Sequence, residues 1–480
     1  MSAPLSDVVA GPPAAAAPAL RRELGRLDAV CLLVAAIVVL DTLGAVASGG
    51  PQTITWLVMV AALFFVPAGL VIAELGAAVP HQGGPYVWAR LAFGRLAGSL
   101  VALTWWLETP VWVGGSVAIT AVAVVDRLVA PLTGGWRVLV ALGVVWAATA
   151  LAAVPLRAGR RVLLAGAVTQ VALLGFFTAT VALYAARHGV RAPAAGALMP
   201  TWAVFLAVAP VLVYSFLGFD LPSTAAEELR DPRRDVPASI VRAGVLTCAL
   251  YCVPVLAIVL VVPAGELTSL TGFIDALAGV LHVYGRWSGP VGTLVAAAFV
   301  WVLVANGLTW IMGSSRTVAA AGRDGAAPGA LARVSARTGT PLRATVTCGV
   351  IATAACAAAF AVAGGDNARY FSVMLALAIS LLALANLLLF PALPRLRRTH
   401  PQLTRPFRVP GGGIGAWTAS GLATGWSALA LLAVLWPPHL PDGFAGDRAG
   451  FLLTELVPLT VVVAVAAVFA HRSRREVDRP

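Results

Sequence analysis

The sequence predicts an all-α integral membrane protein, and three observations carry that reading. Of the 480 residues, 60% are hydrophobic and only 11% charged, whereas a soluble domain of this size carries about 25% charged residues. The apolar residues fall into long runs, many of them near or above the roughly 18–20 residues that cross a bilayer as a helix. Two of those runs are interrupted by Gly, Pro and Asp, at matching positions in the two halves of the chain. The predicted architecture is twelve transmembrane helices in a five-plus-five inverted repeat with two extra C-terminal helices, helices 1 and 6 being discontinuous.

The elements follow in order. Residues 1–27 read as a disordered cytoplasmic tail, Ala/Pro-rich and without the apolar core of a cleavable signal. Apolar runs then lie near 29–49, 54–79, 97–125, 136–156, 162–186, 202–228, 238–262, 290–318, 343–363, 370–394, 414–436 and 451–470. Residues 28–400 form the ten-helix core, 401–472 hold helices 11 and 12, and 473–480 form a cytoplasmic C-terminal tail. Between helices 7 and 8 the segment 264–289 is too polar to span, with Glu266, Asp275, His282 and Arg286, and reads as a short helical cap on the external face. Many of the 14 tryptophans sit near run ends, as interfacial anchors do.

All 33 basic residues are arginine. Counted from a cytoplasmic N-terminus, 26 fall in cytoplasmic segments and 7 outside, which obeys the positive-inside rule and puts both termini in the cytoplasm of a multi-pass cell-membrane protein. That distribution rejects a nucleic-acid partner for the net charge of +12; the partner surface is the lipid bilayer. Without lysine there is no Walker-type phosphate loop, which excludes an ATP-driven pump within this chain. The five cysteines lie in apolar runs without metal-ligand spacing, and the six histidines sit in loops or at run ends with no H-E-x-x-H. No cofactor, metal or catalytic residue is expected, so an enzyme is not.

The two breaks hold the chemistry. Leu40 to Pro51 reads LDTLGAVASGGP, and Val213 to Pro237 reads VYSFLGFDLPSTAAEELRDPRRDVP. Irregular backbone at membrane depth survives only where it is buried in protein or lines a cavity. An acid there is costly and by default marks a substrate or proton path. Paired discontinuous helices in inverted repeats point to a transporter's midplane site. Free amides at such a break can hold a carboxylate and free carbonyls an ammonium. Asp41 on helix 1, Glu108 on helix 3 and Asp220 on helix 6 give the bundle a negative interior that favours a cationic group or a proton. The bland alternatives are a tolerated Gly/Pro kink and a carboxyl hydrogen-bonded to a neighbouring helix.

Three stretches carry a family likeness. SFLGFDLPSTAAEELRDPRRDVP resembles the helix-6 signature of the amino acid–polyamine–organocation transporters, an F-x-G-[FVW]-[ED] break leading to E-x-x-[DN]-P-x-R-x-[IVL]-P. Ala73 to Trp88, AELGAAVPHQGGPYVW, is similar to their A-E-L…P-x-x-G-G-x-Y-x-W, and Ser315 to Pro328, SRTVAAAGRDGAAP, to their S-R…A-x-x-R-D-G-x-x-P, with Pro341 before helix 9. The resemblance, to the bacterial amino acid permease type, implies the LeuT-like five-plus-five fold. It implies a gating aromatic at Tyr214, an acid at Asp220 and a substrate-stacking tryptophan at Trp310. It makes Glu74 structural, and lets Glu227, Glu228, Asp231, Arg233 and Arg234 pair at an inner gate. Together with the breaks it gives a candidate substrate site of Asp41, Gly44, Glu108, Tyr214, Ser215, Gly218, Asp220 and Trp310, with Asp41, Glu108 and Asp220 as proton-coupling candidates.

Two departures matter. Helix 1 reads AAIVVLD over Ala35–Asp41 and lacks the family's G-x-G-x-G; its acid, small residues and GGP are closer to plant-type polyamine/proton symporters. Gln170 falls where some relatives carry a coupling lysine. The expected function is a secondary active permease that imports or exchanges amino acids by alternating access, coupled to protons. The alternative is a polyamine or other organic-cation symporter or exchanger, toward which the acidic trio tilts. A membrane sensor or intramembrane enzyme has less support, and oligomeric state stays open.

Overall fold

A computed structural model of the chain describes residues 26–190, 193–224, 232–263, 267–362, 367–437 and 447–477. Nearly all of the N-terminal tail lies outside these residues, as do Glu227, Glu228 and Asp231 and the side chain of Arg233. The described residues form helices, turns and short connections, with no strand among them.

In chain order the helices are α1 (Arg26–Ile37), α2 (Thr42–Ala47), α3 (Gln52–Ala78), α4 (Gly84–Phe93), α5 (Arg95–Leu128), α6 (Gly135–Ala153), α7 (Leu156–His188) and α8 (Trp202–Ser215). They continue with α9 (Leu221–Thr224), α10 (Pro232–Val261), α11 (Gly272–Leu281), α12 (Ser288–Arg323), α13 (Leu342–Val362), α14 (Asn367–Leu389), α15 (Ala392–Thr399), α16 (Gly412–Leu435) and α17 (Arg448–Val477). Among the described residues nine stretches are long and apolar enough to cross a bilayer. The other three predicted runs hold α13 and the two interrupted helices, α1–α2 and α8–α9. The punctuation is local: Pro51 and Pro155 precede α3 and α7, where a missing N–H costs no helical bond, and Gly189 at φ +75° ends α7.

The bundle has an inside and an outside. α14 packs along α5, α12 against α6, and α10 against α1. α5, α12 and α14 are mostly buried, whereas α6 and α17 show most of their surface, including Trp146, Leu453, Val457 and Val461, as lipid-facing helices do. Water gives no drive to join helices inside a bilayer, so close packing and interhelical hydrogen bonds hold such a bundle. Trp136, Trp202, Trp287 and Trp436 lie exposed at helix ends, where anchors were expected, while Trp88, Trp105, Trp106, Trp112 and Trp310 are interior.

α1 gives way to an unwound segment at 38–41 and α8 to another at 216–220. The second turns on Gly218 at φ +120°, a conformation that only glycine adopts without strain. A side chain there would also meet Ile37 Cγ1 at 3.2 Å and Ala36 at 3.4 Å, so the two breaks lie against each other.

Both ends of the bundle are tied by charge. On the arginine-rich face Glu74, fully buried at the end of α3, receives Arg397 through Nε at 2.7 Å and a terminal nitrogen at 2.5 Å, and the Val409 amide at 2.7 Å. Arg90 pairs with Asp324, which also accepts the Tyr86 hydroxyl at 2.9 Å, so the GGPYVW and RDG stretches meet. Burial and the Asp324 charge raise the Tyr86 phenol far above its usual range and keep it a donor. On the opposite face α11 forms the expected cap, held to the end of α5 by Arg127 and Asp275 at 2.9 Å.

Candidate functional site

The unwound segment of α1–α2 is the hub. Its carbonyls and those of the last two residues of α1 are held by side chains from three other helices and by Thr42. Trp310 on α12 donates its indole N–H to Ala36 O at 2.9 Å, and Tyr251 on α10 its hydroxyl to Ile37 O at 2.9 Å. Gln170 on α7 donates to Val38 O, which Asn306 on α12 also reaches at 3.3 Å. Thr42 donates to Val39 O at 3.0 Å, and the Val39 amide donates to Tyr251 Oη at 3.2 Å. The expectation that these carbonyls stand free for an ammonium is therefore corrected. At membrane depth an unpaired carbonyl is expensive, and this chain satisfies four with its own side chains.

Asp41 follows directly and is 2% exposed. One of its oxygens accepts the Trp112 indole N–H at 2.9 Å and the Ser116 hydroxyl; the other has no partner among the described residues. Both donors belong to α5: Ser116 lies in its π-helical turn Val113–Val117, a local widening of the helix that is common at functional sites, and Trp112 immediately precedes that turn. Glu108, one turn earlier on α5 and fully buried, accepts the Tyr214 hydroxyl at 2.5 Å and the Thr109 hydroxyl at 3.4 Å.

Asp220 ends the second unwound segment at 5% exposure, with Trp105 beside it and one oxygen without a partner among the described residues. The amides of Gly218 and Phe219 close no hydrogen bond among the described residues. The Ser215 hydroxyl reaches Thr42 Oγ1 at 3.3 Å and links the two breaks. None of the three carboxylates has an ion-pair partner among the described residues.

The structure thus brings Asp41, Glu108, Tyr214, Ser215, Gly218, Asp220 and Trp310 around one pair of breaks. Trp310 packs edge-on to Trp112 at 6.2 Å and tilted to Trp105 at 5.8 Å. Gly44 lies elsewhere: a side chain there would meet Ser269 O at 2.8 Å and the Phe273 amide at 3.3 Å, so it lets the cap sit on α2. A cavity of about 290 Å³, lined by Ala45, Ser48, Pro210, Val211, Ser269 and Phe371, lies where α2, α8 and α14 meet the cap, and none of the candidate site residues lines it.

The sequence reading missed Trp105, Trp112, Ser116, Tyr251 and Asn306, which show no pattern along the chain because their partners come from other helices. It also passed over Glu455 on α17, a fully buried acid that accepts the Ser380 hydroxyl at 3.2 Å. An acid within an apolar run was the available signal, the same one that marked Asp41.

The amino acid permease family model matches residues 24–469. The chain is 28% identical over 428 residues to an uncharacterized transporter of Legionella pneumophila, covering 87% of this chain and 90% of that protein. It is 24% identical over 451 residues to a probable agmatine/putrescine antiporter of Lactococcus lactis, covering 92% of each. It is 28% identical over 426 residues to a branched-chain amino acid permease of Bacillus subtilis, covering 82% of this chain and 84% of that protein. Among solved structures, a mutant of the Eremococcus coleocola manganese transporter superposes with a TM-score of 0.62 over 95% of this chain and 94% of that one; the 13% identity makes this a likeness of fold alone.

Proposed function

The chain belongs to the amino acid permease family and is a multi-pass membrane protein, and from that premise we propose that it is a secondary active transporter for small organic amines, amino acids or their decarboxylated relatives. The observation that carries the substrate reading is the site's charge. Three buried carboxylates surround the breaks with no cationic side chain paired to them among the described residues. A low-dielectric site with fixed negative groups and no counter-ion favours a cation or takes up protons.

The engaged carbonyls sharpen this. With Ala36, Ile37, Val38 and Val39 already hydrogen-bonded, recognition of an ammonium on the α1–α2 side falls to Asp41, with Asp220 on the α8–α9 side; each has one oxygen without a partner among the described residues. The unbonded amides of Gly218 and Phe219 are available for a substrate carboxylate when there is one. In this reading Tyr214 and Glu108 are one unit, the hydroxyl orienting the acid, and a proton leaves Asp220 or Asp41 as the amine arrives. The relative named as a probable agmatine/putrescine antiporter supports the amine class, and the branched-chain permease supports the second reading, a neutral amino acid. We orient both termini to the cytoplasm of the cell membrane, on the strength of the 26-to-7 arginine asymmetry.

Uptake of labelled putrescine, agmatine, arginine and leucine into proteoliposomes, with and without an imposed pH gradient or internal substrate, tests the proposal. Uptake of the cationic compounds, strongly reduced and with flattened pH dependence in Asp220→Asn, is the expected result. Uptake of leucine alone would select the neutral reading, and no counterflow of any compound would remove the transporter assignment.

A further inference from the structure

The connection from α14 to α16 carries five arginines, Arg395, Arg397, Arg398, Arg405 and Arg408, and no Asp or Glu occurs anywhere in 367–441. Among the described residues the carboxylate that reaches this connection is Glu74, which Arg397 and Arg405 share at 2.5 Å and 3.5 Å. Arg405 spends its terminal nitrogens on the carbonyls of Leu396, His400, Pro401 and Leu403, so it and Arg397 serve the loop's own structure. Arg395, Arg398 and Arg408 are exposed, with no carboxylate within ion-pair distance among the described residues. Burial first, and then the like charges of Arg397 and Arg408, pull the Arg405 guanidinium below its usual range against the opposing pull of Glu74. Positive charge is crowded here beyond what the protein neutralises.

The crowding surrounds a cavity of about 510 Å³ lined by Arg397, Arg405, Arg408 and Gly411–Gly413. Gly411 and Gly412, at φ +81° and +62°, turn the chain so that the 24-residue helix α16 begins on its wall. The unsatisfied amides of a helix's first turn favour an anion. One turn on, Ile414 is 82% and Trp417 50% exposed, and the Arg398 guanidinium lies 4.9 Å over the Trp417 ring. An arginine stacked on an exposed tryptophan at the start of a membrane helix marks the headgroup level of a bilayer. Whatever binds here meets phosphate chemistry on one side and hydrocarbon chemistry on the other.

We propose that this basin binds the phosphate of an anionic phospholipid, with Arg408 on its wall as the ligand, Arg398 holding Trp417 at the headgroup level, and the acyl chains lying along α16 past Ile414 and Trp417. A soluble phosphate shares the charge but has no use for the apolar half of the site. Basic pockets at the ends of membrane helices bind anionic headgroups in this way.

Native mass spectrometry of the detergent-purified full chain tests it, with phosphatidylglycerol or phosphatidylcholine added and inorganic phosphate or glycerol phosphate in parallel arms. The wild type should retain phosphatidylglycerol in preference to phosphatidylcholine. The double variant Arg398→Gln/Arg408→Gln should lose that preference several-fold while melting at the wild-type temperature in lipid-free detergent. Arg448→Gln, at the other end of the bundle where Arg448 lies 4.3 Å over Trp436, should keep it. Equal phosphatidylglycerol retention by wild type and double variant overturns the site. Retention abolished in Arg448→Gln as well reduces the effect to net charge and overturns it too. Stabilisation by inorganic phosphate with no lipid preference replaces the lipid with a free anion.

Discussion

Gln170 and Asn306 both donate to the Val38 carbonyl, one from α7 and one from α12. An aliphatic residue at 170 removes one of these donors. With Asn306 still donating to that carbonyl, the lost hydrogen bond costs about 0.5–1.5 kcal/mol, so Gln170→Leu should lower the melting temperature in detergent by a few degrees. Gln170→Glu is the sharper test. A carboxylate cannot donate to Val38 O and a protonated carboxyl can, so transport by that variant should be low at alkaline pH and recover on acidification; a flat pH profile would detach Gln170 from the break. Trp310 can be dissected similarly, since its N–H is spent on Ala36 O and its ring is packed against Trp105 and Trp112. If holding the unwound segment is its task, Trp310→Phe and Trp310→Leu should slow transport and lower stability by similar amounts. A phenylalanine variant with wild-type affinity would restore the ring to a direct role in binding the cation, worth about 0.5–2 kcal/mol.

At the scale of elements, the two interrupted helices were legible because their interruptions are chemical. Gly218, Asp220 and Pro222 cannot continue an apolar helix comfortably, and Asp41 followed by small residues and Gly49-Gly50-Pro51 raises the same objection. The acids were legible for the same reason. Their partners were not: Tyr251 or Asn306 in an apolar run looks like any buried polar residue until another helix crosses it, and crossing angles are not written in a run of Ala, Leu and Val. At Gly44 a small residue near a break suits a cavity wall and a close helix crossing equally well. The cap's position decides for the crossing. Glu455 tests whether burial alone makes an acid functional. It sits on α17 against Ser380, apart from both breaks in the chain. Glu455→Gln should preserve the pH dependence of uptake that Asp220→Asn flattens, and a flattened profile in Glu455→Gln would add α17 to the coupling machinery.

For the molecule as a whole, the arginine asymmetry and the ion pairs describe one polarity. Glu74 with Arg397, and Asp324 with Arg90, tie the arginine-rich end together, while Arg127 with Asp275 ties α5 to the cap. In a cysteine-free background, a cysteine at Thr133 in the exposed loop before α6 should react with an impermeant thiol reagent on intact cells. One at Gln402, among the arginines of the loop before α16, should not. Labelling at Gln402 but not at Thr133 would invert the orientation and place the proposed lipid basin in the other leaflet.

The stretch from Ala36 to Val39 is held through its backbone oxygens, and what holds it comes from α2, α7, α10 and α12. Selection then acts on the holders more than on the held. Aliphatic residues can drift through positions 37 and 38 while Gln170, Tyr251, Asn306 and Trp310 stay fixed, which gives a physical reason why the family's glycine motif can be missing from helix 1 of a chain that keeps the break. A saturation library scored by uptake should show this directly, with Ile37→Val and Val38→Ile silent and most substitutions at the four distant side chains depleted. The hallmark of this part of the site would then be a set of fixed polar residues scattered over separate helices, invisible to any search for a contiguous signature.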